Sequence, residues 1–395
     1  MMSHATDPLR AVVITGAIFP EHLELWRGCE EAGADVTIVG TEFDFYRGKW
    51  PWEPRRPDDL KSVVMDPSSP RLSKGHLWWR YPGLVDVLRA SRPDVIHVLS
   101  EPWGLLVVDA LRQRKRSEIK AAVCAHGADN IYHHGGFGER SIRRAILRWT
   151  LPRLDGFVSW NHAGIDLAHE SGLSTTAPTS VLPAVIPDAE GIQPPNAAER
   201  SQLRERFGLP RDEVIVGFFG RLLEEKGIGD LIEAIGGIDE GAPFLAAYGA
   251  GPLQERLERS IASGAIRGTY GGSLDFATVI DAMRACDIVA IPSKRTSSWT
   301  EQFGRVALEG MLAGCAVVAY KSGALPEVVG TGGILVQEGD VAELGRALER
   351  LSRDEGTRKT VAANGRQSIL DKYHRKALGR TVVEFWEQLA RRRVG

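Results

Sequence analysis

One stretch of the chain decides its fold: Glu301-Gln-Phe-Gly-Arg-Val-Ala-Leu-Glu309, followed by Gly310-Met-Leu-Ala-Gly-Cys-Ala-Val-Val-Ala-Tyr320. From Phe303 to Met311 the apolar residues recur at the spacing of one helix face, and the apolar run that ends at Tyr320 is typical of a strand. Gly314 between them is a typical helix end. A helix that leads into an apolar strand is the repeating step of an α/β fold.

The start of this helix has the features of an anion site. Glu301 would precede the helix N-terminus, so the amides of Gln302, Phe303 and Gly304 would lack helical partners and would favour a diphosphate. Eight residues of helix rise about 12 Å, so Glu301 and Glu309 could lie on either side of an extended phosphate-bearing ligand. Carboxylates of this kind accept hydrogen bonds from sugar hydroxyls.

A second segment, Phe218-Phe219-Gly220-Arg221-Leu-Leu-Glu-Glu-Lys226-Gly227, lies where a strand gives way to a helix. The cationic groups of Arg221 and Lys226 can reach the end of that strand, where a diphosphate needs charge compensation. Taken alone, the pattern also fits an ordinary surface turn. Its position after a strand favours anion binding.

Apolar runs alternate with helical periods along the rest of the chain, which is the pattern of parallel-sheet units. The predicted strands are Ala11–Thr15, Asp35–Val39, Asp94–Leu99, Ala121–His126, Gly156–Ser159, Val214–Phe219, Phe244–Tyr248, Asp287–Ile291 and Ala316–Tyr320. The predicted helices include Glu21–Ala32, Leu84–Ala90, Arg140–Trp149, Val341–Leu351 and His374–Arg393. The pattern predicts two α/β units in tandem.

Prolines cluster between Pro183 and Pro210 and mark a boundary between the units. We therefore expect an N-terminal Rossmann-like domain over residues 1–188, a linker over 189–210, a second Rossmann-like domain over 211–372 and a final helix over 373–395. Ligands of open α/β sheets bind outside the carboxyl ends of the strands. Two such sheets would bind a ligand in the cleft between them.

The composition excludes several classes of protein. The 395 residues carry 49 Lys and Arg against 51 Asp and Glu, a net charge of -2 that disfavours nucleic-acid binding. No apolar run approaches the roughly 20 residues of a membrane span. The apolar start from Ala11 to Phe19 fits a first strand better than a signal peptide, which predicts a cytoplasmic location. The four cysteines lack metal-site spacing and are expected to be reduced and buried.

In its motifs the chain resembles the retaining glycosyltransferases of the GT-B fold, specifically glycosyltransferase family 4 (group 1). The motifs cover the whole second domain and occur in the family's order. They are Gly220-Arg221 with Lys226-Gly227, Tyr248-Gly-Ala-Gly-Pro252, Arg267 to Gly272, Pro292-Ser293, Glu301 with Glu309, Gly314-Cys-Ala-Val-Val318 and Ser322-Gly-Ala-Leu-Pro-Glu327. The first domain matches mainly in pattern, through an expected turn at Gly16 after the first strand, Pro93-Asp94-Val-Ile-His97 and His126-Gly127. The loop from Lys294 to Trp299 has no assigned role.

The resemblance implies two Rossmann-like, doubly wound parallel-sheet domains that face each other across a cleft, with the nucleotide-sugar donor on the second domain and the acceptor on the first. By the same resemblance, the final helix over 373–395 could cross back onto the first domain. It implies His126 and Glu301 as catalytic positions, with Glu301 on a hydroxyl of the donor sugar and Glu309 on the ribose. The implied donor-binding residues are Gly16, Arg221, Lys226, Thr269, Tyr270, Gln302, Phe303, Gly304, Arg305, Val306 and Glu309.

The implied reaction is glycosyl transfer with retention, in which the acceptor attacks on the face from which the diphosphate departs. Positive groups around the leaving phosphate would stabilise its charge without a metal, and no Asp-x-Asp metal signature occurs in the chain. No cofactor is expected, since the nucleotide sugar is a substrate. Glu301 is then a positioning group and not a covalent nucleophile.

Several residues of the first domain keep two interpretations. His126 ends an apolar strand and on the sequence alone fits a satisfied core histidine, whereas the resemblance places it beside the donor sugar. Asp129, Tyr132 and His133 could contact an acceptor or belong to an ordinary polar loop. A metal site at His133 and His134 is disfavoured, because neighbouring side chains seldom converge on one ion.

Two surface features of the first domain also remain open. Its aromatic residues could stack on an acceptor, but packing beneath a long loop is the commoner role; they are Trp50, Trp52, Trp78, Trp79 and Tyr81. The arginines from Arg140 to Arg148 outline a basic amphipathic helix, for which a solvated face is favoured over a peripheral membrane contact.

Three other functions compete with sugar transfer. A GT-B relative could hydrolyse, epimerise or phosphorolyse a sugar compound, and a sugar-nucleotide-binding module would lack turnover. A dehydrogenase is disfavoured, because Gly249-x-Gly251 continues into Pro252 and lacks the full G-x-G-x-x-G turn. The donor base, the sugar, the acceptor and the oligomeric state cannot be derived from the sequence.

Overall fold

The protein is described here by a computed structural model, which covers residues 7–18, 23–42, 55–68, 79–130, 137–183, 191–297 and 299–394. The chain divides into two compact units. Unit 1 comprises Met1–Ile186 together with Tyr373–Gly395, and unit 2 comprises Pro187–Lys372.

Unit 1 is built on a parallel sheet of seven strands in the order β3-β2-β1-β4-β5-β6-β7, counted over the described residues. The strands are β1 (Arg10–Ala17), β2 (Asp35–Thr41), β3 (Lys61–Val64), β4 (Val95–Val98), β5 (Ala122–Gly127), β6 (Gly156–Ser159) and β7 (Thr179–Val181). The helices between them are α1 (Leu23–Glu31), α2 (Leu84–Ser91), α3 (Leu105–Ser117), α4 (Phe137–Thr150) and α5 (His162–Glu170).

Unit 2 is built on a second parallel sheet, with six described strands in the order β10-β9-β8-β11-β12-β13. The strands are β8 (Ile215–Phe219), β9 (Phe244–Tyr248), β10 (Gly268–Tyr270), β11 (Ile288–Ile291), β12 (Ala316–Tyr320) and β13 (Ile334–Val336). The helices are α6 (Ala197–Arg206), α7 (Ile228–Gly236), α8 (Gln254–Ala262), α9 (Phe276–Ala285), α10 (Arg305–Leu312), α11 (Leu325–Val329), α12 (Val341–Arg353) and α13 (Glu355–Tyr373).

The last helix, α14 (Arg375–Val394), returns to unit 1 and packs against α1. Two glycines allow the helices to touch backbone to backbone. A Cβ on Gly28 would lie 2.1 Å from the carbonyl oxygen of Arg375, and one on Gly379 would lie 2.1 Å from that of Gly28. Trp386 of α14 is completely buried, so this helix completes the core of unit 1.

The α/β architecture predicted from the sequence is confirmed, because both sheets are parallel and consecutive strands are connected mostly through helices. The four cysteines are free and buried, as expected. No helix of the described residues is long and apolar enough to cross a membrane.

Two local expectations are wrong. The first strand runs to Ala17, so Gly16 lies inside β1 and not in a turn after it. The helix predicted to follow Glu301 directly begins at Arg305, after Gly304 in the left-handed conformation at φ 90°. Glycine adopts this conformation without the steric penalty that a side chain would meet, so the segment from Glu301 to Phe303 stays outside the helix.

Candidate functional site

A cavity of about 190 Å³ opens in unit 2 at the carboxyl ends of β8 and β11, the central pair of its sheet. Its lining combines the strand ends with the turn after β8 and the start of α10. The lining residues are Phe218, Phe219, Lys226, Ala290, Ile291, Ser293, Glu301, Gly304, Arg305 and Val306. The cavity therefore occupies the edge at which open α/β sheets bind ligands.

Close backbone contact brings Lys226 to this edge. Gly227 follows it with φ 72°, and a Cβ on Gly227 would lie 1.8 Å from the carbonyl oxygen of Pro292. The turn after β8 therefore packs directly on the backbone that leaves β11. Only glycine fits this contact, which explains the Lys226-Gly227 pair of the sequence motif.

An ion pair forms part of the cavity wall. Lys226 Nζ lies 2.8 Å from Glu301 Oε2, and Ser293 Oγ donates to the same carboxylate oxygen at 3.3 Å. The side chains of Lys226 and Glu301 are 21% and 15% exposed. Lys226 Nζ also lies 4.4 Å from the centre of the Trp299 ring, within the range of a cation–π interaction.

The N-terminus of α10 supplies a second group with positive character. Gly304 has no side chain to cap the helix, and a Cβ there would lie 2.7 Å from the Leu325 side chain. The amide of Val306 is at the second helical position, where an α-helix offers no carbonyl acceptor. The dipole of the helix adds partial positive charge at this end. An anion in the cavity would therefore meet Lys226 and the start of α10 together.

Glu309 lies in a different environment from Glu301. Its side chain is 5% exposed and pairs with Arg305 one helical turn earlier. Burial raises the pKa of the Glu309 carboxyl, and the Arg305 charge and hydrogen bond oppose that shift. Glu309 does not line the cavity. The role of Glu309 stays a prediction.

The other donor residues predicted in unit 2 lie at varied positions. Arg221 is exposed and does not line the cavity, and Phe303 is 6% exposed and packs inward. Gln302 is half-buried. Thr269 and Tyr270 lie in β10, the strand at one edge of the sheet, away from the cavity lining. Their proposed contacts remain predictions.

In unit 1, His126 belongs to a buried chain of hydrogen bonds. Trp386 Nε1 donates to His97 Nδ1 at 3.0 Å, so the other nitrogen of His97 carries the proton. His97 Nε2 then donates to His126 Nδ1 at 3.0 Å, and His126 Nε2 donates to the Leu182 carbonyl at 2.8 Å. The rings of Trp26 and Trp386 stack beside this chain.

Burial lowers the pKa of His126 to about 4, opposed by its bond to the Leu182 carbonyl. Burial also lowers the pKa of His97 well below its usual value, and His126 adds to that shift. Both imidazoles are therefore neutral at pH 7. Both ring nitrogens of His126 are hydrogen bonded, so a hydrogen bond to a sugar would have to replace one of these bonds. The catalytic role of His126 stays a prediction, and a structural role in the core also fits the geometry.

The remaining first-domain candidates are placed in part. The Thr15 and Gly16 carbonyls accept hydrogen bonds from the Tyr81 hydroxyl at 2.9 and 2.7 Å. Asp129 Oδ2 accepts from Trp103 Nε1 at 3.1 Å, at the end of β5. Tyr132 and His133 lie outside the described residues, as do Trp50, Trp52 and Trp78.

The sequence interpretation missed Ser293 and Trp299 as members of the site. Ser293 had a usable signal, because Pro292-Ser293 directly follows β11. Trp299 had none, since its contact with Lys226 depends on a loop conformation. Among the described residues no group of three or more His, Cys, Asp or Glu side chains is arranged to bind a metal ion.

Two solved structures identify the class of fold. HepE from Anabaena, in complex with UDP, covers 96% of this chain and 100% of its own, with 18% identity and a TM-score of 0.71. A glycosyltransferase from Rickettsia africae covers 97% of this chain and 99% of its own, with 14% identity and a TM-score of 0.70. The protein therefore has the GT-B fold of two Rossmann-like domains, as the sequence motifs implied.

Family models then identify the group within that class. The glycosyl transferase 4-like domain matches residues 21–184, and the glycosyl transferases group 1 domain matches residues 199–368. The two models together cover most of the chain, which therefore belongs to the group 1 glycosyltransferases, as its motifs indicated. Retention at the anomeric carbon stays a prediction.

Curated relatives match over part of their length. The 2-deoxystreptamine glucosyltransferase of Streptomyces kanamyceticus is 32% identical over 237 residues, which are 58% of this chain and 59% of that protein. The D-inositol 3-phosphate glycosyltransferase of Xylanimonas cellulosilytica is 30% identical over 280 residues, 68% of this chain and 63% of that protein. The chain thus spans less than two thirds of the length of either relative.

Proposed function

We propose that this protein transfers a hexose from a nucleoside diphosphate sugar to a hydroxyl group of an acceptor, with retention at the anomeric carbon and without a metal ion. The observation that carries the proposal is the cavity at the ends of β8 and β11. There Lys226, Glu301 and the N-terminus of α10 surround one space. This combination offers an anion site and a sugar-hydroxyl acceptor side by side.

The chemistry follows from the charges of these groups. As the bond between the sugar and the diphosphate breaks, negative charge develops on the departing phosphate. Lys226 and the first-turn amides of α10 stabilise this developing charge. They therefore stabilise the transition state more than the bound donor, which accelerates the reaction. Arg221 is exposed at the same turn and approaches the diphosphate through its long side chain.

Glu301 has two tasks in this proposal. Before the donor binds, it pairs with Lys226. In the complex, the diphosphate replaces Glu301 as the partner of Lys226, and the carboxylate accepts a hydrogen bond from a hydroxyl of the donor sugar. The acceptor oxygen attacks the anomeric carbon on the face that the diphosphate leaves, and its proton passes to the departing phosphate. Lys226, Arg221 and α10 supply the positive charge that a divalent ion would otherwise provide.

The comparisons support a choice of substrates to try first. HepE structures contain UDP and UDP-glucose, so we propose a UDP sugar as donor. Relatives are named for 2-deoxystreptamine and for D-inositol 3-phosphate, two cyclic polyols. We therefore propose a polyol or saccharide acceptor, which unit 1 would bind.

The test is to incubate the purified protein with UDP-glucose in EDTA and with each of two acceptors, 2-deoxystreptamine and D-inositol 3-phosphate. GDP-mannose and ADP-glucose serve as alternative donors. Formation of an α-linked product from the α-linked donor, read by NMR of the anomeric proton, is the expected result. Release of free sugar alone would indicate a hydrolase, and nucleotide binding without turnover would indicate a binding module.

A variant pair connects the activity to the cavity. Lys226→Ala should abolish most transfer, whereas Arg211→Ala should leave it unchanged. Arg211 is an exposed cation of the same unit that pairs with Glu205 at 3.1 Å. Equal activity of the two variants would mean that the reaction takes place elsewhere.

A further inference from the structure

We propose that Trp299 is a positioning residue that holds the Lys226 ammonium group at the diphosphate end of the unit 2 cavity. The inference rests on the proposed function, because it takes the anion of the cavity to be a nucleoside diphosphate. It assigns a role to the loop between Lys294 and Trp299, which the family resemblance leaves without one.

The contact is direct. Lys226 Nζ lies 4.4 Å from the centre of the Trp299 ring and 2.8 Å from Glu301 Oε2. The ammonium group thus lies between an aromatic face and a carboxylate, and only 21% of the lysine side chain is exposed. A cation–π interaction strengthens as the cation loses water, which favours this partly buried site.

The loop that carries Trp299 is internally fixed. The Thr296 amide donates to the Trp299 carbonyl at 2.8 Å, and the Trp299 amide donates back to Thr296 Oγ1 at 2.9 Å. These two bonds connect Thr296 to the backbone of Trp299. The backbone of Trp299, and with it the point from which the indole projects, is therefore fixed by bonds that do not involve Lys226.

The same loop is anchored to the segment that carries the lysine. The Lys294 amide donates to the Glu225 carbonyl at 2.8 Å, and Lys294 Nζ pairs with Asp230 at 2.6 Å. Glu225 is the residue directly before Lys226. The loop that carries Trp299 and the backbone next to Lys226 are thus hydrogen bonded to each other.

The two partners of Lys226 act differently when a phosphate arrives. The Glu301 carboxylate occupies an N–H donor and neutralises the charge, so the phosphate has to compete with it. The indole face attracts the ammonium without taking a hydrogen-bond donor, so it can hold the lysine before and after binding. Lysine otherwise loses much rotamer freedom when it binds a ligand, and a lysine already ordered loses less.

The test is calorimetric titration with UDP and with GDP of the wild type, Trp299→Leu and Trp299→Phe. We expect Trp299→Leu to weaken binding about threefold to tenfold and Trp299→Phe at most about twofold, because phenylalanine keeps an aromatic face. Trp149→Leu is the matched control, since Trp149 also receives a cation, Arg153 at 4.8 Å, but lies in unit 1. Trp299→Met replaces the leucine variant if that one does not fold.

A second measurement reads the contact without a nucleotide. Lysines are dimethylated with ¹³C-formaldehyde, and the Lys226 signal is assigned by its loss in Lys226→Arg. Its methyl resonance should be shifted upfield by the indole ring current in the wild type, and this shift should vanish in Trp299→Leu.

The outcomes separate the two proposals. Unchanged UDP and GDP affinity in Trp299→Leu, with the wild type binding, would overturn the positioning role and leave the transferase proposal standing. A wild type that binds neither nucleotide would overturn the donor assignment, and with it the role of Trp299 towards a diphosphate. A Lys226 resonance without a ring-current shift would overturn the contact itself.

Discussion

One pair of polar side chains in unit 1 and one pair in unit 2 are held in opposite ways. In unit 1, His97 and His126 are buried, neutral and fully hydrogen bonded between Trp386 and the Leu182 carbonyl. In unit 2, Lys226 and Glu301 are charged, partly exposed and open to a cavity. The first arrangement stabilises a fold, since every donor has its acceptor. The second keeps charges available for exchange with a ligand, so function and stability should respond to different residues.

The largest expected effect is a loss of stability at low pH, caused by the two buried histidines of unit 1. The neutral histidines of unit 1 bind protons only after unfolding, because burial lowers the pKa of His126 to about 4 and that of His97 well below its usual value. Their stabilisation is complete above about pH 6.5, the unfolded pKa, and is lost as pH falls towards 4. At pH 5 the lowered pKa of His126 alone should reduce the free energy of unfolding by about 2 kcal/mol, and His97 should reduce it further in the same direction.

Urea unfolding of the wild type and of His126→Asn at pH 7, 6 and 5 measures this loss, with His162→Gln as an exposed control. The wild type should lose stability more steeply than His126→Asn, and His162→Gln should follow the wild type. Parallel curves for all three proteins would mean that the buried chain accepts a proton without unfolding.

The next effect concerns the charged cavity of unit 2. Lys226→Ala should lower kcat/KM by about 100-fold, since in the proposed reaction this cation stabilises the leaving phosphate. Its melting temperature should stay within about 2 °C of the wild type, because a partly exposed ion pair contributes little to stability. Steady-state kinetics and a thermal scan measure these two effects. A large loss of stability with unchanged kinetics would mean that Lys226 serves the fold and not the reaction.

A smaller effect is expected from Trp386, whose indole N–H begins the buried series of hydrogen bonds in unit 1. Trp386→Phe keeps an aromatic ring on Trp26 but leaves His97 Nδ1 without its donor, at a cost of about 1 to 3 kcal/mol for a buried acceptor. Chemical unfolding measures that loss. UDP affinity should be unchanged, and a weaker affinity would show that α14 also influences the donor site.

The smallest effect tests the exchange of partners at Lys226. In the proposed exchange Glu301 competes with the diphosphate for Lys226, so in Glu301→Gln the UDP affinity should stay equal or rise about twofold. The rate of sugar transfer should nevertheless fall, because an amide is a weaker acceptor than a carboxylate for the hydrogen bond from a sugar hydroxyl. Calorimetry and kinetics on this variant decide the point, and a marked loss of UDP affinity would assign Glu301 to the nucleotide instead of the sugar.

Most of the fold could be predicted from the sequence, because central parallel strands are buried on both faces and appear as continuous apolar runs. The strand Ala316–Tyr320 was identified with its bounds for this reason. Short edge strands escaped the same analysis. Lys61–Val64 and Thr179–Val181 are only half-buried or exposed, so nothing in their composition distinguishes them from loops.

The site was predicted less completely, because its contacts depend on packing between distant segments. Lys226 and Glu301 were found from their motifs, but their mutual ion pair joins residues 75 positions apart. The bond between His97 and His126 depends in the same way on the pairing of β4 with β5. The late start of α10 depends on the left-handed backbone of Gly304, which the apolar pattern does not record.

The docking of α14 on α1 through Gly28 and Gly379 has a consequence for synthesis on the ribosome. Unit 2 is one continuous segment, whereas the core of unit 1 lacks Trp386 until the whole of unit 2 has been made. At the usual rates of translation this delay lasts about 10 to 40 seconds. During that interval the nascent chain exposes the apolar surface of unit 1 that α14 later covers, and a chaperone that binds this surface would act before the final helix emerges.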